Sequence, residues 1–326
     1  MRILKFAAAT FADALLLSGP ALAFGDMGRA PTTQGNIASG EGGYYLWNQD
    51  DISGFGVSNN GINFKDISVS PEDGWFAGGM IGHASTEPII PGLWFKRIEA
   101  YGLYMRSKDS VSGNSPNVSL SSVTGNVLIV APNDRGHASV ERENIEGGLH
   151  FERDRILSDV SSITWVIAPF IRLSDEDAEG NCSCGRRTAD VDTWLYGVVF
   201  AAEPERWVTP GIALVGRAGV GFYGFDADGK FRSQSFFPGT GAFNAKFSDS
   251  DSGIGFRGQL GAGLKFKVWN TGMLETFAEA DYFSDIGVAN LPDNTPTLSA
   301  RAHIDSDDVW EFRAGARLTF AISGSN

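Results

Sequence analysis

From Gly253 to Val268 the chain alternates strictly between two kinds of residue. Ile254, Phe256, Gly258, Leu260, Ala262, Leu264, Phe266 and Val268 share one parity, and Gly253, Gly255, Arg257, Gln259, Gly261, Gly263, Lys265 and Lys267 share the other. Successive side chains of a strand point to opposite faces, so the spacing predicts a strand with one apolar and one cationic face. Beyond Trp269-Asn270-Thr271-Gly272, Leu274, Thr276, Ala278, Ala280 and Tyr282 alternate with Glu275, Phe277, Glu279, Asp281 and Phe283. The two segments form a predicted hairpin whose polar faces carry opposite charges able to pair across it.

The same period recurs along the chain. Trp310, Phe312, Ala314, Ala316, Leu318 and Phe320 alternate with Glu311, Arg313, Gly315, Arg317 and Thr319, which predicts a closing strand. Tyr44 to Val57 is read as the first strand, turning at Asn59-Asn60-Gly61 and returning through Phe64 and on through Trp75 to His83. Further strands are expected at Trp94 to Arg106, Arg142 to Glu152, Ile163 to Leu173, Asp190 to Ala201 and Ile212 to Phe225. Phe231 to Phe237 and Phe243 to Phe247 are read as a projecting hairpin that continues its flanking strands. Ser107 to Ser122, Asp175 to Arg187 and Asp285 to Asp308 are polar and read as exposed loops. Counted in order, connections near Glu87, Asp154, Glu203 and Trp269 are short, and those near Ser112, Cys182, Phe236 and Asn294 are long.

Composition narrows the class. Gly at 41 residues and an aromatic content of 12% suit strands and turns better than helices. Arg2 and Lys5 precede an apolar run that ends in Ala21-Leu22-Ala23, so residues 1–23 are read as an export signal, although Asp13 interrupts the run. Residues 24–40 lack any period and are read as a flexible leader, with residues 41–326 as one domain. No later apolar run reaches the roughly 20 residues that a spanning helix needs. The net charge of −13 argues against a nucleic-acid partner.

An exported chain of alternating strands, with short turns at one end and long loops at the other, predicts an all-β, antiparallel, up-and-down transmembrane β-barrel. About ten strands are expected, within a range of about eight to twelve. In a membrane the apolar face points outward, which sends Arg142, Glu146, Glu152, Arg172, Arg217, Arg257, Lys265, Lys267, Glu275, Glu279, Asp281, Glu311, Arg313 and Arg317 into the lumen. Trp94, Trp207 and Trp269 lie beside short turns and are expected in an aromatic girdle. The signal, the alternating strands, the segregated connections and the aromatic Phe320 of the closing strand resemble proteobacterial outer-membrane β-barrel proteins of the small, porin-like kind. The chain departs from them in that Ala321 to Asn326 follow Phe320. That resemblance implies an outer-membrane location, with membrane lipid, lipopolysaccharide and the barrel-assembly machinery as partners, and it transfers no catalytic site.

A barrel of about ten strands sits near the limit at which side chains fill the interior, so the expected activity is at most a narrow channel for ions or small polar solutes. A non-conducting structural or adhesion barrel working through its outer loops is the alternative. An enzymatic reading rests on Gly-His-Ala-Ser, which occurs at Gly82 to Ser85 and again at Gly136 to Ser139. In the second copy His137, Ser139 and Glu141 share a face, and a serine activated by histidine and a carboxylate would resemble outer-membrane lipid A deacylases. Generic His and Ser pairs are common, and two polar residues where a loop enters a strand is the simpler reading. Cys182-Ser183-Cys184 makes a poor zinc site without a neighbouring histidine and fits a local disulfide or two thiols. No cofactor or metal is expected. The clusters Asp175-Glu176-Asp177, Asp249 with Asp251, and Asp305 with Asp307-Asp308 are expected in solvated outer loops.

Overall fold

The computed structural model describes residues 35–70, 73–237, 239, 241–269, 272–295 and 301–322. The expected export signal lies outside the described residues. Among them are twelve strands, one short 3-10 turn and no α-helix: β1 (Gly35–Asn48), β2 (Ile52–Ser58), β3 (Lys65–Val69), β4 (Asp73–Ala84), β5 (Arg97–Ser121), β6 (Leu128–Ser158), β7 (Ser161–Cys182), β8 (Gly185–Thr209), β9 (Ile212–Ser235), β10 (Ala245–Trp269), β11 (Gly272–Asn290) and β12 (His303–Ile322). No described helix is long and apolar enough to cross a membrane, which says nothing about crossing by strands. Of the leader expected over residues 24–40, residues 35–40 are strand, because β1 already pairs from Gly35 and Asn36 onward, and residues 24–34 lie outside the described residues.

Every pairing is antiparallel, and the sheet closes on itself. From Trp310 the partners run to Tyr282, Gly258, Val220, Phe200, Ile167 and Phe151. They continue through Ile98, His83 and Asn36 and re-enter β12 at Ile322, twelve residues from the start. Ten of the twelve strands make this circuit. A stagger of that size round ten strands tilts them by roughly 40° to the axis, inside the range usual for barrels. Closure pairs both edges of each of these ten strands over the lower part of the wall, whereas β3 pairs with β2 alone.

The alternation changes its meaning partway up the wall. In the lower part Ile81, Ile145, Phe200, Phe222, Ile254 and Leu260 point outward and are exposed, while Arg172, Arg257 and Glu146 point inward and are buried. Higher up, the outward positions of the same strands are Glu141 and Glu143, Asp190 and Asp192, and Asp226 and Asp228. The inward ones are Ala138 and Val140, Ala189 and Val191, and Phe225 and Ala227. On β8 the switch falls at Trp194, and on β9 between Phe222 and Asp226. An apolar-out band suits lipid, and a polar-out, apolar-in wall suits water. Paired β5 and β6 run for 25 residues, about 80 Å of strand, so well over half of this hairpin lies beyond an apolar band about 25 Å tall.

Several loops expected from sequence are therefore strand. Of Ser107 to Ser122, all but the last residue form the upper part of β5, paired with β6 up to Ser121, and Asp175 to Arg187 is the β7–β8 hairpin, turning at Ser183-Cys184. Asp285 to Asp308 is strand at both ends, after a break in register between Phe283 and Ile286. The outward parity of these segments is polar and some inward positions, Ser107, Ser119, Glu176 and Arg187 among them, are polar as well, so composition reads as loop while cross-strand pairing makes strand. The first expected hairpin divides as well. β1 stops at Asn48, β2 and β3 form a separate inner hairpin, and β4 returns to the wall.

That inner hairpin fills the upper lumen. β2 pairs with β5 over Gly56 to Ser58, and Phe55 lies against Gly113 and Gly136, where a side chain on Gly136 would run into its ring. From β8, the fully buried Arg187 donates to the carbonyl of Pro292 at 2.6 Å, to the carbonyls of Ser53 and Gly54 at 2.5 and 3.1 Å, and to Ser53 Oγ. Asn294, also fully buried, donates to Ser53 Oγ and Asp66, and its Oδ1 accepts from the Ser121 amide at 2.8 Å. A single hairpin reaches β5, β6 and β8 together only from inside the ring.

Candidate functional site

Below the plug the lumen is packed with charge. Trp47, Gln49, Arg142 and Glu176 form the upper layer. Arg142 lies 3.1 Å from Glu176, its guanidinium stands 4.0 Å over the Trp47 ring, and its Nε donates to Ser174 at 2.8 Å. Gln49 donates to Glu176 at 2.8 Å, and the Ala289 amide donates to the other oxygen of that carboxylate at 2.9 Å. The Glu176 side chain is fully buried, so its place in an expected solvated loop is corrected: it has the inward parity of β7.

The next layer joins Tyr45, Arg172 and Glu311. Arg172 donates to both oxygens of Glu311, one bond being 3.0 Å, and Tyr45 donates to Glu311 at 2.9 Å while accepting from Asn144 at 3.1 Å. Arg257 then bridges Glu146 and Asp281, at 3.1 Å to each, and Arg313 bridges Glu279 at 2.8 Å and Asp281 at 3.2 Å. Arg172, Glu311, Glu146, Arg257 and Asp281 are all buried. A desolvated charge is costly unless paired and hydrogen-bonded, and here each carboxylate has at least one guanidinium.

The lowest layer opens into a cavity of about 450 Å³ at the short-turn end, lined by Glu99, His150, Glu152, Glu203, Lys265, Glu275, Arg217 and Arg317 among others. Arg217 pairs with Glu203 at 3.2 Å, Arg317 with Glu41 at 2.7 Å and Lys265 with Glu205 at 2.5 Å. Of the expected lumen residues, the structure turns Arg142, Glu146, Glu152, Arg172, Arg217, Arg257, Lys265, Glu275, Glu279, Asp281, Glu311, Arg313 and Arg317 inward. Lys267 is exposed at the lower rim, its amide bonded to Gly211. Glu41, Trp47, Gln49, Glu99, Glu176 and Arg187 were missed. The parity of the upper β7 and β8 would have found Glu176 and Arg187.

The expected girdle is partly corrected. Trp94, in the β4–β5 connection, is exposed, with its ring tilted against that of Phe95 and beneath the Arg153 guanidinium of β6. Trp207 faces inward instead: it is buried, shares the parity of Glu203 and Glu205, and donates to Glu205 at 2.7 Å. Closeness to a turn sets height on the wall, whereas parity sets direction. The side chain of Trp269 lies outside the described residues. Trp165, Trp194, Trp75 and Trp310, each exposed by more than a third, supply outward indoles instead.

His137, Ser139 and Glu141 do share the outward face of β6, yet they are not assembled on one another. The His137 ring contacts Ser112 Oγ at 2.8 Å, Ser139 sits opposite Ser110 and Glu179, and Glu141 is held by Arg106 and by Lys108 at 2.9 Å. Cys182 and Cys184 form a buried disulfide. Asp249 accepts from the Ile304 amide, Asp251 from Ser306, and Asp307 from the Asp50 amide, on strand ends and not in open loops. Asp175 and Asp177 do face solvent above the apolar band. Partial burial and the charges of Asp177, Asp192 and Asp190 raise the Asp175 carboxyl to about 6.

No family model and no curated protein matches the chain. Solved structures match in architecture. Outer membrane protease OmpT from Escherichia coli aligns over 89% of this chain and 98% of its own at 9% identity, with a TM-score of 0.47. The translocator domain of autotransporter NalP from Neisseria meningitidis covers 98% and 95% at 11% identity and 0.34. Outer membrane protein OprG from Pseudomonas aeruginosa covers 89% and 98% at 11% identity and 0.27. At these identities the likeness concerns architecture and carries over no activity. OmpT and OprG are named as outer-membrane proteins, the class that the sequence resembles.

Proposed function

We propose that this chain is an outer-membrane β-barrel that is closed at rest and works through the β-structured wall it raises above the membrane. The observation that carries this reading is the double obstruction of the lumen. The β2–β3 hairpin and Asn294 fill the upper part, and the buried Arg172, Glu311 and Tyr45 fill the section beneath it. An ion crossing that section would have to part buried charges from their partners, which is costly. Above the apolar band β5 to β8 are hydrogen-bonded strand up to short turns, over an interior of apolar and hydrogen-bonded polar side chains, which supports a stiff outer surface.

Planar-bilayer recording of the full mature chain, with folding verified by heat-modifiable gel mobility, tests this. Silence at moderate voltage is the expected result, and stable conductance steps in the wild type would replace the reading with that of an open channel. A second reading, a narrow gated path for ions or small polar solutes, is favoured by the cavity at the short-turn end, which already reaches Arg217 and Glu279. It requires the inner hairpin to leave and the Arg172–Glu311 layer to part, so a variant with residues 50–70 replaced by a short Gly-Ser linker and carrying Arg172→Ser and Glu311→Ser would conduct where the wild type does not.

A further inference from the structure

Arg97 and Glu99 on β5 face Glu152 and His150 on β6 as two directly opposed pairs, Arg97 with Glu152 and Glu99 with His150. All four project from the same face into the lower cavity. Glu99 and Glu152 are buried and His150 is nearly so, its ring tilted by 39° against that of Tyr101 with centroids 4.6 Å apart. Arg97 takes Oε2 of Glu152 and lies 3.5 Å from Glu99, which leaves Oε1 of Glu152 turned toward His150 Nδ1 at 3.7 Å. One ligand atom from each of Glu99, His150 and Glu152 falls within 4.8 Å of the others.

We propose that Glu99, His150 and Glu152 bind a divalent transition-metal cation, Zn2+ foremost, with its remaining coordination position open to the cavity. Donors about 2.0 to 2.2 Å from a zinc ion in tetrahedral array stand roughly 3.4 Å apart, so the His150 to Glu152 spacing needs only a small inward movement to close on the metal. One imidazole with two carboxylates is a donor set that Zn2+ accepts, and the imidazole disfavours Mg2+ and Ca2+. Arg97 supplies the outer support that orients metal-binding carboxylates. Register fixes the arrangement: Glu99 and His150 are a cross-strand pair, and Glu152 is the next inward residue on β6. Nothing in the closed-barrel reading requires this site, so the two stand or fall separately.

The test uses the untagged mature chain folded in detergent, dialysed against Zn2+ and assayed for bound metal. The expected result is one zinc per barrel, with affinity reduced at least about tenfold in His150→Gln and unchanged in Glu141→Gln on the outer wall. Zinc-edge X-ray absorption of the wild type supplies a second readout that needs no variant, and the expected spectrum is one imidazole with oxygen ligands and no sulfur. No bound zinc in the wild type, equal binding by a folded His150→Gln barrel, or a spectrum lacking imidazole would each overturn the proposal.

Discussion

The guanidinium of Arg142 lies 4.0 Å above the indole of Trp47, and neither side chain is exposed at all. The contact joins β6 to β1 across the lumen, and the same guanidinium pairs with Glu176 on β7. Three strands that are not all neighbours in the sheet are thereby tied through the centre of the barrel.

Arg142→Met should therefore be costly. It keeps bulk against Trp47 but strands the buried Glu176 carboxylate, and breaking a buried pair from one side costs about 3 to 5 kcal/mol. The double variant Arg142→Met with Glu176→Gln should recover much of that loss, because no uncompensated charge remains. Urea unfolding in detergent, followed by tryptophan fluorescence, gives both values; additive losses would show that the pair is not coupled.

Arg187 makes a second prediction. It donates to carbonyls of Ser53, Gly54 and Pro292, so Arg187→Ala leaves several buried acceptors without a donor at about 1 to 3 kcal/mol each. Burial lowers this guanidinium to about 10, opposed by Asp66 and Asp293, and it stays protonated at neutral pH. Loss of the latch should free the inner hairpin before the wall. Amide exchange over residues 52–69 should speed up while that of β8 and β9 stays slow.

Legibility in the sequence followed the solvent. Where lipid lies outside and polar side chains lie inside, the alternation stands out, and Arg257, Lys265, Glu279 and Arg313 were assigned inward from parity alone. Above the band the outer face becomes Asp, Glu, Ser and Lys. The inner face becomes small or apolar, as at Ala138, Val140, Ala178 and Ala189, and the segments look like loops although the period of two persists. Glu176 and Arg187 were lost in this way. β11 hid its upper end for another reason. Phe283 and Ile286 both point inward across a break in register, and Asp285 adopts a positive φ of 57°, so a reading of strict parity ends at Phe283. The inner hairpin was read as wall because an Asn-Gly turn announces a hairpin without saying which sheet it joins.

Acidification should stabilise the outer wall. The Asp175 carboxyl is raised to about 6 from an ordinary 3.8, by partial burial first and then by Asp177, Asp192 and Asp190. The folded state thus holds this proton more tightly than the unfolded chain does, and stability falls as pH rises between about 4 and 6. Asp175→Asn removes one of the repelling charges and should flatten that part of the profile. Thermal melting in detergent from pH 7 to pH 4 checks it, the expected outcome being a smaller gain on acidification in the variant than in the wild type.

Gly136 and Phe55 offer the most direct check that the inner hairpin sits where it does. A methyl group on Gly136 would enter the space of the Phe55 ring, which is itself fully buried. Gly136→Ala should destabilise the protein by about 1 to 3 kcal/mol through overpacking. Phe55→Ala alone should cost about 3 to 5 kcal/mol through the cavity it leaves. In the double variant the methyl meets no ring, so its own cost should vanish and the total should fall below the sum of the two. A double-mutant cycle by urea unfolding measures the coupling. If the losses simply add, Phe55 does not pack on β6, and the plug that closes the upper lumen must be placed elsewhere.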